Sequence, residues 1–226
     1  MGMSDAEMRV AMFGGTFNPV HNAHLRAAVE LRDAFELDAL HMIPAHLPPH
    51  RGKPGVSSRD RLEMLKKGVD TTPGLVVDDR EIRRDGPSWS VETLDSLRRE
   101  YGDRTRLFMV LGRDAFLRLH QWHRPEAIFE HAHILVIGRP ESEERICPEL
   151  AALIEGRVIR EQAALMACPA GGVFFHEGTT AMAISATAIR RQLSQGGSVS
   201  YLMPVAVERF IVRHGFYRDA DAPDAG

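Results

Sequence analysis

The stretch Arg9-Val10-Ala11-Met12-Phe13-Gly14-Gly15-Thr16-Phe17-Asn18-Pro19-Val20-His21-Asn22-Ala23-His24-Leu25 decides the reading of the fold. A short apolar run that ends in two glycines reads as a buried strand followed by a chain reversal. Residues 23–35 then read as a helix, with Leu25, Ala28, Val29 and Leu31 on one apolar face. Working outward, residues 39–43 form a second apolar run, broken by Pro44 and the Pro48-Pro49 pair. Ser57 or Ser58 can cap a helix that passes through Leu62, Met64 and Leu65 towards Gly68. Strands are expected at 75–77, 106–111, 134–137 and 173–176, and helices at 90–99, 185–195 and 204–214, the last stopped by Gly215. This alternation predicts an α/β fold: a parallel sheet with helices on both faces and a helical C-terminal end. Residues 141–172 read as an insertion carrying one or two helices, and residues 219–226 as a disordered tail. There is no internal repeat and no clear linker, so a single domain over 1–226, with its core at about 9–217, is expected.

Composition narrows the class of partner. The 226 residues carry 28 basic against 31 acidic side chains, a net charge of −3, which argues against a long polyanion such as nucleic acid. No apolar run approaches a membrane span, and the N-terminus has no basic region followed by an apolar one. The only cysteines, Cys147 and Cys168, stand far apart in no metal-type spacing, so a reduced, cytoplasmic setting is the expectation. All basic residues except Lys53, Lys66 and Lys67 are arginines, so an anion site here would be built from guanidinium forks. Five of the 11 histidines, His21, His24, His41, His46 and His50, lie within the first 50 residues.

In a parallel α/β sheet the loop leaving a strand's C-terminal end faces the ligand crevice. Gly14 and Gly15 let the backbone approach a phosphate there, and Thr16 offers a hydroxyl. His21 and His24, three residues apart at a helix start, can project towards the same anion, next to the backbone N–H groups of that helix terminus. Each part has a plain structural alternative: a glycine pair as a turn, a histidine as a packing residue, a histidine pair as half of a zinc site lacking a third ligand. The combination is specific. It is neither the Walker loop nor the dinucleotide fingerprint.

With this stretch the sequence resembles the His-x-x-His nucleotidyltransferases, and further motifs narrow the resemblance to the bacterial nicotinate-nucleotide adenylyltransferases. Pro44-Ala45-His46-Leu47-Pro48-Pro49-His50-Arg51 is similar to that family's Pro-Pro-His-Lys loop. The run from Glu81 to Leu94, Leu111-Gly112-Arg113-Asp114-Ala115 with Trp122, Ile137-Gly138-Arg139-Pro140, and Ile184-Ser185-Ala186-Thr187-Ala188-Ile189-Arg190 follow in the family's order. Together they cover residues 10–217. The chain departs from the pattern at Asn18, Ala23, Arg51, Arg113 and Ala186.

The resemblance implies a Rossmann-like doubly wound sheet and transfer of adenylate from ATP to nicotinate mononucleotide, giving the deamido dinucleotide and pyrophosphate. It implies His21, His24 and Arg190 as catalytic residues. Gly14, Gly15, Thr16, Phe17, Gly112, Asp114, Arg139, Ser185 and Thr187 would complete the ATP site. Asn18, His50, Arg51, Thr93 and Trp122 would take the mononucleotide, His50 and Arg51 at its phosphate and Trp122 against its pyridine ring. Mg²⁺ would arrive with ATP, held mainly by phosphates and water rather than by dedicated protein ligands. From sequence alone, Asp114 also reads as a loop aspartate, Trp122 as a core residue and residues 90–94 as a simple helix start. The competing functions are a relative acting on nicotinamide mononucleotide or another phosphorylated small molecule, an inactive nucleotide sensor, and a zinc hydrolase. The sequence is compatible with a homo-oligomer.

Overall fold

The computed structural model describes residues 7–47, 55–84, 86–138 and 146–218. His50, Arg51, Arg139, the Pro48-Pro49 pair, the first part of the expected insertion and the 219–226 tail lie outside the described residues.

Six strands form one sheet: β1 (Arg9–Gly15), β2 (Ala39–Pro44), β3 (Leu75–Val77), β4 (Arg106–Gly112), β5 (His133–Ile137) and β6 (Val173–His176), in the order β3-β2-β1-β4-β5-β6. The β1/β4, β4/β5 and β5/β6 pairs are parallel, with Met12 opposite Met109 and Leu111 opposite Val136. Every residue of β2 is buried, as are the central residues of β4, which is what helices on both faces of a parallel sheet require. The order reverses direction beside β1, so the carboxyl ends of β1 and β4 flank the switch point at which such sheets bind ligands.

The long helices follow the expected spans: α1 (Asn22–Ala34), α2 (Ser58–Val69), α4 (Ser90–Tyr101), α9 (Ala186–Ser194) and α10 (Val205–His214). Ser57 caps α2, its Oγ accepting from the Asp60 N–H at 3.1 Å, and Ser185 caps α9 through the Ala188 N–H at 3.1 Å. Gly215, at φ 69°, ends α10 in the left-handed conformation. Shorter pieces were not expected: α3 (Arg80–Arg83), α5 (Arg113–Phe116), a 3₁₀ turn at Leu119–Gln121 and α6 (Pro125–His131). The insertion holds α7 (Pro148–Leu153) and α8 (Gln162–Leu165). Among the described residues no helix is long and apolar enough to cross a membrane.

The described residues fall into two compact units, those within 1–14, 31–41 and 89–179, and those within 15–30, 42–88 and 180–226. In the first, the core is the apolar face of β4 and β5 with Phe35, Phe108 and Phe116 fully buried. Fully buried His133 ties β5 to the insertion: Nδ1 accepts from the Gly172 N–H at 2.9 Å, so Nε2 carries the proton and donates to the Cys168 carbonyl at 2.8 Å. Arg98 gathers the carbonyls of Gly102, Asp103, Thr105, His131 and Pro169. In the second, α2 packs on α1 and α10 at Gly68, where an added Cβ would lie 3.2 Å from Val20 and 3.6 Å from both Leu25 and Val207.

Candidate active site

The second unit holds His21 and His24. β1 ends at Gly15, and the loop that follows is held by buried anchors, with Phe17, Asn18, Pro19 and Val20 all withdrawn from solvent. Phe17 adopts φ 46°, a conformation that costs energy in a non-glycine residue and is here imposed by burial of its ring. Gly15 makes room for that ring, because a Cβ would stand 3.1 Å from Phe17 Cζ. The Phe17 ring in turn meets His24 edge-on, with centroids 5.2 Å apart.

His21 and His24 are brought together as expected of residues three apart at a helix start. Their rings stack at 3.7 Å with 23° between planes. Burial holds the His21 pKa at about 4, and burial plus the neighbouring His21 holds that of His24 at about 3. Both are therefore neutral near pH 7, when each can donate from one ring nitrogen only. For His24 the choice is settled: Nδ1 accepts the His21 backbone N–H at 3.3 Å, which leaves the proton on Nε2. Among the described residues His21 Nδ1 is buried without a partner, an arrangement that costs energy unless a ligand supplies one.

Arg190 stands in the second turn of α9. Its guanidinium donates to the Asn18 carbonyl at 2.9 Å and to Thr187 Oγ at 3.3 Å, which brings the α9 residues Thr187 and Arg190 to the loop before the histidines. Asn18 is also held from the other side: Tyr217 Oη donates to its Oδ1 at 2.5 Å. Burial raises the Tyr217 pKa above the ordinary phenol value, against the pull of Arg190 and Arg61, so the hydroxyl stays a donor. Below the loop lies Arg61, 1% exposed, donating to the carbonyls of Thr16 and Ala45 at 2.6 Å each and to that of His46 at 3.4 Å.

Neither Arg61 nor Tyr217 was singled out in the sequence. Arg61 had a signal: it shares a helix face with Met64, Leu65 and Gly68, where an apolar residue belongs.

In the first unit, Gly14, Gly112 and Asp114 sit at or just beyond the ends of β1 and β4. Gly112 accommodates Asp114, whose Oδ1 would lie 2.8 Å from an added Cβ. The Asp114 carboxylate is exposed, with Arg118 at 3.7 Å. Trp122 is half-buried at the end of the 3₁₀ turn. Thr93 is fully buried and its Oγ donates to the carbonyl of Trp89, the residue before α4, at 3.3 Å. Among the described residues no group of three His, Cys, Asp or Glu side chains is placed to hold a metal ion.

What the chain is similar to bears on the chemistry. The cytidylyltransferase-like family model matches residues 12–192. A relative from Chromohalobacter salexigens, named a probable nicotinate-nucleotide adenylyltransferase, is 54% identical over 209 residues, covering 92% of this chain and 95% of its own. One of the same name from Pseudomonas syringae pv. tomato is 43% identical over 216 residues, covering 96% of each. Among solved structures, the nicotinic acid mononucleotide adenylyltransferase of Plasmodium falciparum complexed with NaAD aligns with TM-score 0.68, covering 93% of this chain and 98% of its own. At 12% identity that likeness speaks to the fold alone.

Proposed function

We propose a division of labour among the residues above for a chain that belongs to the cytidylyltransferase-like family and, within it, to the nicotinate-nucleotide adenylyltransferases. The reaction is transfer of the adenylyl group of ATP to nicotinate mononucleotide, forming nicotinate adenine dinucleotide and pyrophosphate.

The attacking atom is a phosphate oxygen of the mononucleotide, ionised at neutral pH, so no general base is needed. The protein's tasks are to align that oxygen with the α-phosphorus and the leaving pyrophosphate, and to stabilise the charge that grows on the leaving group. Neutral His21 and His24 suit this. They donate N–H groups to phosphate oxygens without competing for the proton. The observation that carries the reading is the stacked, neutral His21–His24 pair, whose buried His21 Nδ1 has no partner among the described residues. Since both imidazoles are uncharged, the positive charge comes from Arg190, whose fork reaches the β- and γ-phosphates from the first turns of α9. Gly14, Gly15, Thr16 and Phe17 line the polyphosphate with backbone and hydroxyl donors, joined by Ser185 and Thr187.

Gly112 and Asp114 take the ribose side of ATP, and Arg139 adds a further phosphate contact. Asn18, His50, Arg51, the backbone near Thr93 and the Trp122 face bind the mononucleotide. Magnesium enters as part of the MgATP substrate; a donor set of amides, hydroxyls, neutral imidazoles and guanidinium fits phosphate oxygens and leaves the ion to phosphates and water. When bound it shields the charge of the departing pyrophosphate.

The test is kinetic. His24→Ala and Arg190→Ala are each expected to lower kcat by about 10²–10³, the usual loss for one transition-state contact. Near-normal turnover by either folded variant would refute these roles.

A further inference from the structure

We propose that Arg61 is a positioning residue for adenylyl transfer, presetting the Phe17 N–H as a phosphate donor by holding the Thr16 carbonyl from behind. The inference rests on the function proposed above and adds a residue to it.

Arg61 is an expensive residue to keep where it is. It is 1% exposed, and among the described residues its Nε has no partner and no carboxylate pairs with it. Burial holds its pKa below the ordinary arginine value, with Tyr217 pulling the other way. A buried cation satisfied only by carbonyls costs free energy that an apolar side chain in the same helical register would not. Its contacts, however, are not scattered. Two equal bonds of 2.6 Å run to the carbonyls of Thr16, just past the end of β1, and Ala45, just past the end of β2. The two segments are also joined directly, the Ala45 N–H donating to the Gly15 carbonyl at 2.9 Å. One planar fork thus cross-braces the two places where the candidate loops leave the sheet.

The consequence follows from peptide geometry. In a trans amide the C=O and the next residue's N–H point in opposite directions. The Ala45–His46 peptide displays this: its carbonyl faces Arg61 while the His46 N–H donates to Ser88 Oγ at 2.8 Å on the other side. The same rule applied to Thr16–Phe17 turns the Phe17 N–H away from Arg61. Phe17 itself takes a left-handed φ of 46° with its ring buried. A lysine can keep the charge at position 61 but lacks the planar fork that holds both carbonyls at once.

The experiment follows the Phe17 amide by NMR in the ¹⁵N-labelled full-length protein and in Arg61→Lys, with MgATP as the probe. It is paired with steady-state kinetics of dinucleotide formation well below the melting temperature. In the wild type, MgATP should move the Phe17 amide proton downfield, as a new bond to phosphate does. In folded Arg61→Lys that shift should shrink, and kcat/KM for ATP should fall on the order of 10²-fold, the cost of a misplaced contact. A purely stabilising role would lower the melting temperature and leave the Phe17 response unchanged. That result, or wild-type kcat/KM in Arg61→Lys, overturns the proposal. Should Arg61→Lys not fold, a Phe17 amide unmoved by MgATP in the wild type overturns it alone. Absence of dinucleotide formation by the wild type together with a normal Phe17 response would instead count against the acceptor substrate and leave Arg61's role standing.

Discussion

Acidifying the protein from pH 7 to pH 5 probes, through stability, the one feature that the proposed chemistry most needs, the neutral histidine pair. In the folded state His21 and His24 hold pKa values of about 4 and about 3, below the 6.5 of an exposed imidazole. Between those limits the unfolded chain binds protons that the folded chain refuses, so stability rises with pH across the window. The contribution is fully present above about pH 6.5 and is lost as the pH falls through 6 and 5 towards the folded values. Each group contributes a slope of about 1.4 kcal/mol per pH unit, or about 2 kcal/mol between pH 6.5 and 5. His24 is only half-buried, so about 2–3 kcal/mol is expected for the pair rather than the full sum of about 4 kcal/mol. Urea denaturation followed by circular dichroism at pH 5, 6, 7 and 8 measures it. The control is the double variant His21→Gln, His24→Gln, which retains every other titrating group, including buried His133. The wild-type curve should be steeper than the control's between pH 6.5 and 5. Parallel curves would show that the two imidazoles titrate as exposed groups and would remove the basis for treating them as neutral donors.

Two substitutions test the scaffolding. Tyr217→Phe removes the bond to Asn18 Oδ1 and leaves a buried amide oxygen unpaired, so a loss of about 1–3 kcal/mol is expected in chemical denaturation; no change in stability would mean that Asn18 is held without it. Gly172→Ala places a Cβ 2.5 Å from Ile159 Cδ1 and 3.0 Å from His133 Nδ1 and should cost about 1–3 kcal/mol by overpacking. A neutral result in the melting temperature would show that the 168–172 turn yields freely around His133.

The strands were legible because buried parallel strands are short apolar runs closed by Gly or Pro; β3 and β6 fall on the expected residues, and β5 begins one residue earlier, at buried His133. The helix caps Ser57 and Ser185 and the stop at Gly215 were legible for a similar reason, since each is a local choice of residue type. The short helices α3, α5 and α6 were not, because four to seven residues complete too few turns to display a period. The candidate site divides along the same line. His21, His24 and Arg190 announce themselves by type and spacing. The burial that keeps the stacked imidazoles neutral is tertiary, and spacing does not encode it. Tyr217 reaches Asn18 across 199 residues of chain, and Arg61, although its place on the apolar face of α2 is visible in the sequence, gives no sign there of the carbonyls it holds.

That the chain makes a dinucleotide by direct adenylyl transfer is tested most directly by one assay of the purified protein. Pyrophosphate release is measured with MgATP alone, with nicotinate mononucleotide, and with nicotinamide mononucleotide. Pyrophosphate is expected only when a mononucleotide is present, with one dinucleotide for each pyrophosphate and faster turnover with the acid than with the amide. Pyrophosphate or AMP formed from ATP in the absence of a mononucleotide, or a preference for the amide, would contradict it.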